Sequence, residues 1–242
     1  MKLLITICAR AGSKGIPGKN TKKLNGIPLI EYTIRMAIDF AKSFNTIIAI
    51  STDDENIKNI AKNYKIEISY NRPPHLATDN AGKIETILDI LKYEENIRIQ
   101  QFDYILDLDV TSPLRTLKDL HSAFKIILEN NKILNLFSVN NANKNPYFNM
   151  VEQNNDGYFN LVKDGNFLTR QTAKKVYELN ASFYFYKRCF FNNPNAKVIN
   201  DRSFIYLMPH ICFDLDNVID FDFLEFLINN NKLNFNFNFA SI

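Results

Sequence analysis

At 242 residues, with 46% hydrophobic and 23% charged side chains, the chain has the makings of one moderately sized globular domain with a substantial core. A formal charge of +3 is too small to argue for nucleic acid or a membrane surface as partner, and no apolar run approaches the length of a membrane span. Three scattered cysteines (Cys8, Cys189 and Cys212) lack metal-ligand spacing and suit buried thiols in a reducing compartment; with no leader-like N-terminus, the expectation is a cytoplasmic protein.

In chain order, residues 2–8 read as a strand and lead into Cys8-Ala-Arg-Ala-Gly-Ser-Lys-Gly-Ile-Pro-Gly-Lys-Asn20. Glycines there permit tight turns with exposed N–H groups, while Arg10, Lys14 and Lys19 add positive charge. At the carboxyl end of a strand, that combination suits phosphates. It is not a Walker A loop: five residues rather than four separate Gly12 from Gly18, Asn20 stands where a Ser or Thr should follow the lysine, and Pro17 interrupts the N–H cradle.

Apolar spacing predicts a helix over 29–42, a strand over 46–51, and a helix to Tyr64 capped by Asp53 or Asp54. A strand over 66–70, a helix over 82–95, a strand over 102–108, a helix over 117–130 and a strand over 133–139 continue the alternation. From about 140 to 178 the rhythm gives way to an Asn-rich, turn-prone stretch too long for an ordinary connection, read as a β-rich excursion. A strand over 181–186 returns to the sheet, a helix follows over 218–230, and alternating Phe and Asn over 229–239 suggest an edge strand. The predicted class is α/β, a mostly parallel sheet flanked by helices, with ligands beyond the strands' carboxyl ends.

Several segments converge there. Asp107 and Asp109 share a face by alternation and read either as paired oxygen ligands for a cation or, for Asp109, as a turn cap. Asp214-Leu-Asp216 repeats the spacing, and with the basic loop it suggests magnesium bridging carboxylates and a triphosphate. Arg72, on a proline-stiffened loop, suits a ribose or phosphate oxygen. Arg170, Gln171, Tyr177 and Asn180 line either a substrate pocket or the surface. His75, His121 and His210 have no partners at metal or triad spacing and read as structural.

Together, Ala9-Arg10, Ser13-Lys-Gly-Ile-Pro17, Lys19-Asn20, Arg72-Pro73 with Leu76-Ala77 and Asp79, Thr111-Ser-Pro-Leu-Arg115, Asn180 and Asp214-Leu-Asp216 resemble the acylneuraminate cytidylyltransferase family, over nearly the whole chain. The resemblance implies a Rossmann-like nucleotide-diphospho-sugar transferase fold, a single domain over 1–242, with residues 140–180 as a dimerisation and substrate arm. It implies a homodimer that uses CTP and Mg2+, or Mn2+ in its place, to activate a nine-carbon 2-keto sugar acid. Ala9, Arg10, Ser13, Lys19 and Asn20 would hold the phosphates and ribose, and Arg72 and Ala81 would face the cytidine. Asp214 and Asp216 would hold the metal. Arg170, Gln171 and Asn180 would meet the sugar acid, with Asp109, Thr111 and Ser112 beside it. Arg10, Lys19 and Asp216 would be the catalytic groups.

Two departures mark this chain. Asp109-Val110 stands where the sialic acid enzymes commonly carry Gln-Pro, which turns the expectation towards legionaminic-type sugars, and Gly82-Lys83 replaces small hydroxyl residues beside the base. From its place at the strand end, Asp109 is also expected as a second metal ligand opposite Asp216, and Lys83 as a residue reaching phosphate or solvent. The rival expectations are another acidic sugar, such as 3-deoxy-manno-octulosonate, and a nucleotide-binding protein without catalysis.

Overall fold

The structure, a computed structural model, describes residues 1–12 and 15–237. Its core is a six-stranded sheet built from β1 (Lys2–Cys8), β4 (Asn45–Ser51), β5 (Tyr104–Leu108), β6 (Asn135–Asn141), β9 (Tyr177–Lys187) and β10 (Ser203–Leu207), in the order β10-β6-β9-β5-β1-β4. Five strands run one way; β9 alone is antiparallel to its neighbours β5 and β6. A two-strand ribbon, β2 (Lys23–Leu24) and β3 (Ile27–Pro28), precedes the first helix, and a hairpin, β7 (Val151–Gln153) and β8 (Phe159–Leu161), lies between β6 and β9.

Strand alternation divides the core between the two faces of the sheet. Leu3, Ile5, Leu106 and Phe185 pack with α1 (Leu29–Ala41), α2 (Glu55–Asn63), α4 (Leu117–Glu129) and α5 (Val218–Asn229), while Leu4, Ile105, Tyr184 and Tyr186 pack with α3 (Lys83–Arg98). β1 is buried along both faces, as a central parallel strand must be, which is why it reads as an unbroken apolar run. Helix starts follow local chemistry: the Asp54 side chain accepts from Asn56 N, and Thr116 and Asp119 form a reciprocal capping box. Among the described residues, no helix is long and apolar enough to cross a membrane.

The structure corrects the predicted elements in three places. Residues 66–70 are extended and half-buried, with Ile66 and Tyr70 inward, but they join no ladder, so alternation here reports one-sided packing without strand pairing. Residues 233–237 form no strand; Phe235 stacks on His210 and Phe237 on Tyr32, while 238 and 239 lie outside the described residues. β10 was not anticipated, and β9 begins four residues before the expected 181, inside the presumed excursion. A register shift between Phe137 and Val139 and a left-handed Ala181 (φ 59°) break the period there.

Because β9 runs backwards, its first residues share an end of the sheet with the last residues of β1, β4, β5, β6 and β10. That end carries the candidate site.

Candidate active site

The glycine loop leaves β1 under tight backbone control. Ala9 N donates to the Ser51 carbonyl (2.9 Å), and Ala11 N donates to Asp53 Oδ1 (2.8 Å), so Asp53 braces the loop while Asp54 caps the helix. Gly18 adopts φ 62° and turns the chain into a single 3-10 turn, Lys19–Thr21, rather than the long helix a P-loop requires. Gly15 lies against the backbone of Asp216: an added Cβ would collide with that carbonyl oxygen. Lys19 Nζ is 3.3 Å from Asp216 Oδ1, Arg10 pairs with Asp79 Oδ1 at 2.5 Å, and Asn20 Nδ2 donates to the Arg10 carbonyl at 3.0 Å. The structure thus gathers Ala9, Arg10, Lys19, Asn20 and Asp216; Ser13 lies outside the described residues.

Arg72 does not present a free guanidinium. It donates to the Leu76 carbonyl through Nε (2.9 Å) and its terminal nitrogen, and reaches the Ser51 carbonyl at 3.4 Å, so it braces its own loop against β4. Ala81 N closes the end of that loop on the Thr78 carbonyl (3.3 Å), just before α3 begins.

At the end of β5, Asp107 and Asp109 do flank a cation, and it is the chain's own. Lys83 Nζ lies 2.9 Å from Oδ2 of each and 4.6 Å above the Tyr184 ring. The remaining oxygens are also engaged: Thr6 donates to Asp107 Oδ1 (2.8 Å), and Thr111 donates to Asp109 Oδ1 through N (3.0 Å) and Oγ1 (2.9 Å). Burial pushes the Asp109 carboxyl up, but Lys83 and Thr111 outweigh it and hold it at about 2. Burial pulls the Lys83 ammonium down; the two carboxylates raise it well above its ordinary value. Each oxygen of Asp109 thus already has a partner and the carboxylate is satisfied without a metal ion, while the Lys83 side chain, 29% exposed, turns its ammonium onto the two carboxylates.

The Thr111-Ser-Pro-Leu-Arg115 run is structural cement. Ser112 Oγ donates to the Phe213 carbonyl (3.2 Å) and is fully buried, and the Thr111 carbonyl accepts from Leu215 N (2.8 Å). Buried Arg115 donates to the carbonyls of Asp109 (2.6 Å), Ser112 (3.2 Å) and Ser182, and to the hydroxyls of Thr33 (2.8 Å) and Ser182 (3.2 Å). Ser112 therefore stands behind the site wall rather than in it, and Thr111 faces Asp109.

On the far side of the acidic segment is a polar cavity of about 770 Å3, lined among others by Asn140, Glu178, Asn180, His210, Asp214 and Asp216. Asn180 is set by its network: Oδ1 accepts from Ser138 Oγ (2.6 Å) and Ser182 N (3.2 Å), while Nδ2 donates to Asn140 Oδ1 (2.9 Å). His210 offers Nε2 to Asp119 (2.9 Å) and Nδ1 to the Ile211 carbonyl (3.0 Å); burial lowers its pKa, and these partners carry it above 6.5. Arg170 donates to the Asn143 carbonyl at the rim (2.5 Å), and exposed Gln171 follows it; neither lines the cavity. The sequence offered no signal for Asn140 or Ser138, whose roles exist only through the β6–β9 irregularity.

Asp214 is the group that fits a metal ion. Among the described residues its Oδ1 is buried without a hydrogen-bond partner, and burial, followed by the Asp109 charge, raises its pKa against the opposing pull of the Thr111 hydroxyl and Lys19. Asp216 stands two residues on, 69% exposed. Among the described residues, no three His, Cys, Asp or Glu side chains form a ready cage. One or two carboxylates completed by water and phosphate oxygens is, however, the usual provision for Mg2+.

Residues 4–230 match the model of the cytidylyltransferase family. The chain belongs to that family. Its relatives include the post-translational flagellin modification protein B of Campylobacter coli, 41% identical over 96% of this chain and 97% of the relative. The CMP-N,N'-diacetyllegionaminic acid synthase of Campylobacter jejuni is 38% identical over 94% and 95%. Half of this cytidylyltransferase also aligns with 26% of the N-acylneuraminate cytidylyltransferase A of Danio rerio, at 36% identity. Among solved structures, a CMP:2-keto-3-deoxy-manno-octonic acid synthetase in complex with CTP superposes with a TM-score of 0.67 at 14% identity, covering 96% of this chain and all of that one. That likeness is one of fold, and it confirms the α/β class and the flanked, mostly parallel sheet.

Proposed function

We infer that this cytidylyltransferase joins CTP to a nine-carbon 2-keto sugar acid of the legionaminic or neuraminic type, giving the CMP-sugar and pyrophosphate. The observation that carries the reading is a shared wall: the Asp214–Asp216 segment faces the basic glycine loop on one side and the polar cavity on the other. A triphosphate and a polyhydroxylated acid can therefore meet across it. The whole-length likeness to a CMP-legionaminic acid synthase supports the sugar, as does Asp109 in place of the usual glutamine.

In this reaction the anomeric hydroxyl attacks the α-phosphorus of CTP, and pyrophosphate leaves. The chain's contribution is to position both reactants and neutralise charge. Lys19 and Arg10, held by Asp216 and Asp79 in the free protein, exchange those carboxylates for phosphate oxygens in charge-assisted hydrogen bonds. Asn20 steadies the Arg10 backbone, and Ala9 keeps the loop on β4. Arg72 and Ala81 shape the rigid loop offered to the cytidine. Asp214 and Asp216 would hold Mg2+, which supplies charge stabilisation at the phosphates when bound. Asn180, with Arg170 and Gln171 at the rim, meets the sugar acid.

The hairpin arm exposes Tyr158, Phe159 and Leu168, the last at 91%, which supports its service as a homodimer contact. The test of function is pyrophosphate release with CTP, Mg2+ and a panel of N-acetylneuraminic, legionaminic, pseudaminic and 3-deoxy-manno-octulosonic acids. Preference for a nine-carbon acid is expected. Release with the eight-carbon acid alone would replace the substrate and keep the reaction, and no release from folded protein would overturn both.

A further inference from the structure

We propose that Lys83 is a positioning residue that serves as a built-in cation, filling the Asp107–Asp109 carboxylate pair, which would otherwise draw a second divalent ion. The observation is the set of partners gathered around its ammonium, at the end of a side chain 29% exposed. Two carboxylates approach it at 2.9 Å each, the Tyr184 ring lies beneath it at 4.6 Å, and their other oxygens are tied by Thr6 and Thr111. Facing strand-end carboxylates with one oxygen each turned to a common point form the donor set of a hard divalent ion. Here an ammonium on a flexible stem supplies that charge without metal.

Position gives the pairing a second consequence. Lys83 is the first residue of α3, immediately after the loop that carries Arg72 and Ala81. Through Asp109 it meets Thr111, whose carbonyl accepts from Leu215 N between the two acidic residues at 2.8 Å. One ammonium thus links the nucleotide-side loop to the segment bearing Asp214 and Asp216, and it reserves the orphaned Asp214 oxygen as the place for the divalent ion. The inference rests on the metal-dependent reading above.

The experiment is Mn2+ binding without nucleotide, followed by electron paramagnetic resonance, in wild type, K83M, K83R, D109N and the K83M/D109N double variant. Circular dichroism melts accompany each variant. Removing the ammonium should raise Mn2+ affinity on the order of tenfold, since it frees two carboxylates. K83R should stay near wild type, and K83M/D109N should lose the gain. D109N alone should leave Mn2+ binding unchanged, a readout that stands even where K83M fails to fold. Folded K83M with wild-type Mn2+ affinity, or D109N with weakened affinity, would overturn the proposal. These readouts need neither CTP nor sugar, so their failure is distinct from silence in the pyrophosphate panel.

Discussion

Arg115 sets two large effects against each other, and replacing it with methionine shows which wins. The guanidinium is buried against carbonyls and hydroxyls, and among the described residues it pairs with no carboxylate and its Nε has no hydrogen-bond partner; burial pulls its pKa from 12.5 to about 10. Relief of that penalty on substitution is worth about 3 kcal/mol, at about 1.4 kcal/mol per pKa unit. Against it stand five hydrogen bonds from a charged donor. At about 1.5 kcal/mol each, the low end for such bonds, they sum to roughly 7 kcal/mol. Arg115→Met should therefore destabilise the protein by about 4 kcal/mol, lowering Tm by roughly 8–16 °C in a chain of this size. Urea unfolding and scanning calorimetry measure it directly. A methionine variant within about 1 kcal/mol of the parent would refute the reasoning, as in buried ion networks where an apolar replacement is neutral.

Lys19→Ala should reduce pyrophosphate release by about 10²- to 10³-fold in kcat, the usual loss for a charge aimed at developing phosphate negativity, and a loss under tenfold would contradict its role. Gly15→Ala sets its new methyl against the backbone carbonyl of Asp216, so the loop or the acidic segment must shift and both kcat and the melting temperature should fall; a fully active alanine variant of parental stability would show the contact to be unimportant. The His210–Asp119 pair has a signed pH dependence. His210 is raised, so its stabilisation is complete below 6.5 and fades as pH climbs through its folded pKa. Asp119 is lowered, burial notwithstanding, so its stabilisation holds above 3.8 and fades as pH falls through its folded pKa. Melting temperature against pH should show this contribution largest between those values and absent in His210→Phe; identical profiles would dismiss the pair.

Much of the fold was legible because its signals are local. Apolar spacing marked α1, α4 and β1, and the glycine loop declared itself through composition and the strand before it. The acidic segment was legible as well, by its spacing. The misreadings arose where distant partners decide. Asp109 looked like a metal ligand because sequence cannot show that a lysine 26 positions earlier reaches the same point. Arg72 looked available because its binding to Leu76 and Ser51 carbonyls depends on a loop path that no period encodes. Residues 66–70 carried strand alternation, but their partners lie on α3, where Tyr70 donates to Asp89 and Tyr93 donates to the Ser69 carbonyl, and not along the open edge of β4.

The reversal of β9 divides the labour of the sheet. β1, β4 and β5 deliver the glycine loop, the Asp53–Asp54 brace and the Asp109–Thr111 turn after their last residues, whereas the hairpin enters ahead of β9 and is anchored downstream by Ser182 against Arg115 and Asp109. A change of length in the hairpin falls upstream of that anchor and does not move the β5–β9 register, in which Leu108 faces Phe183. The hairpin can thus vary by itself while the loops after β1, β4 and β5 keep their places, as a tool with one handle takes interchangeable heads.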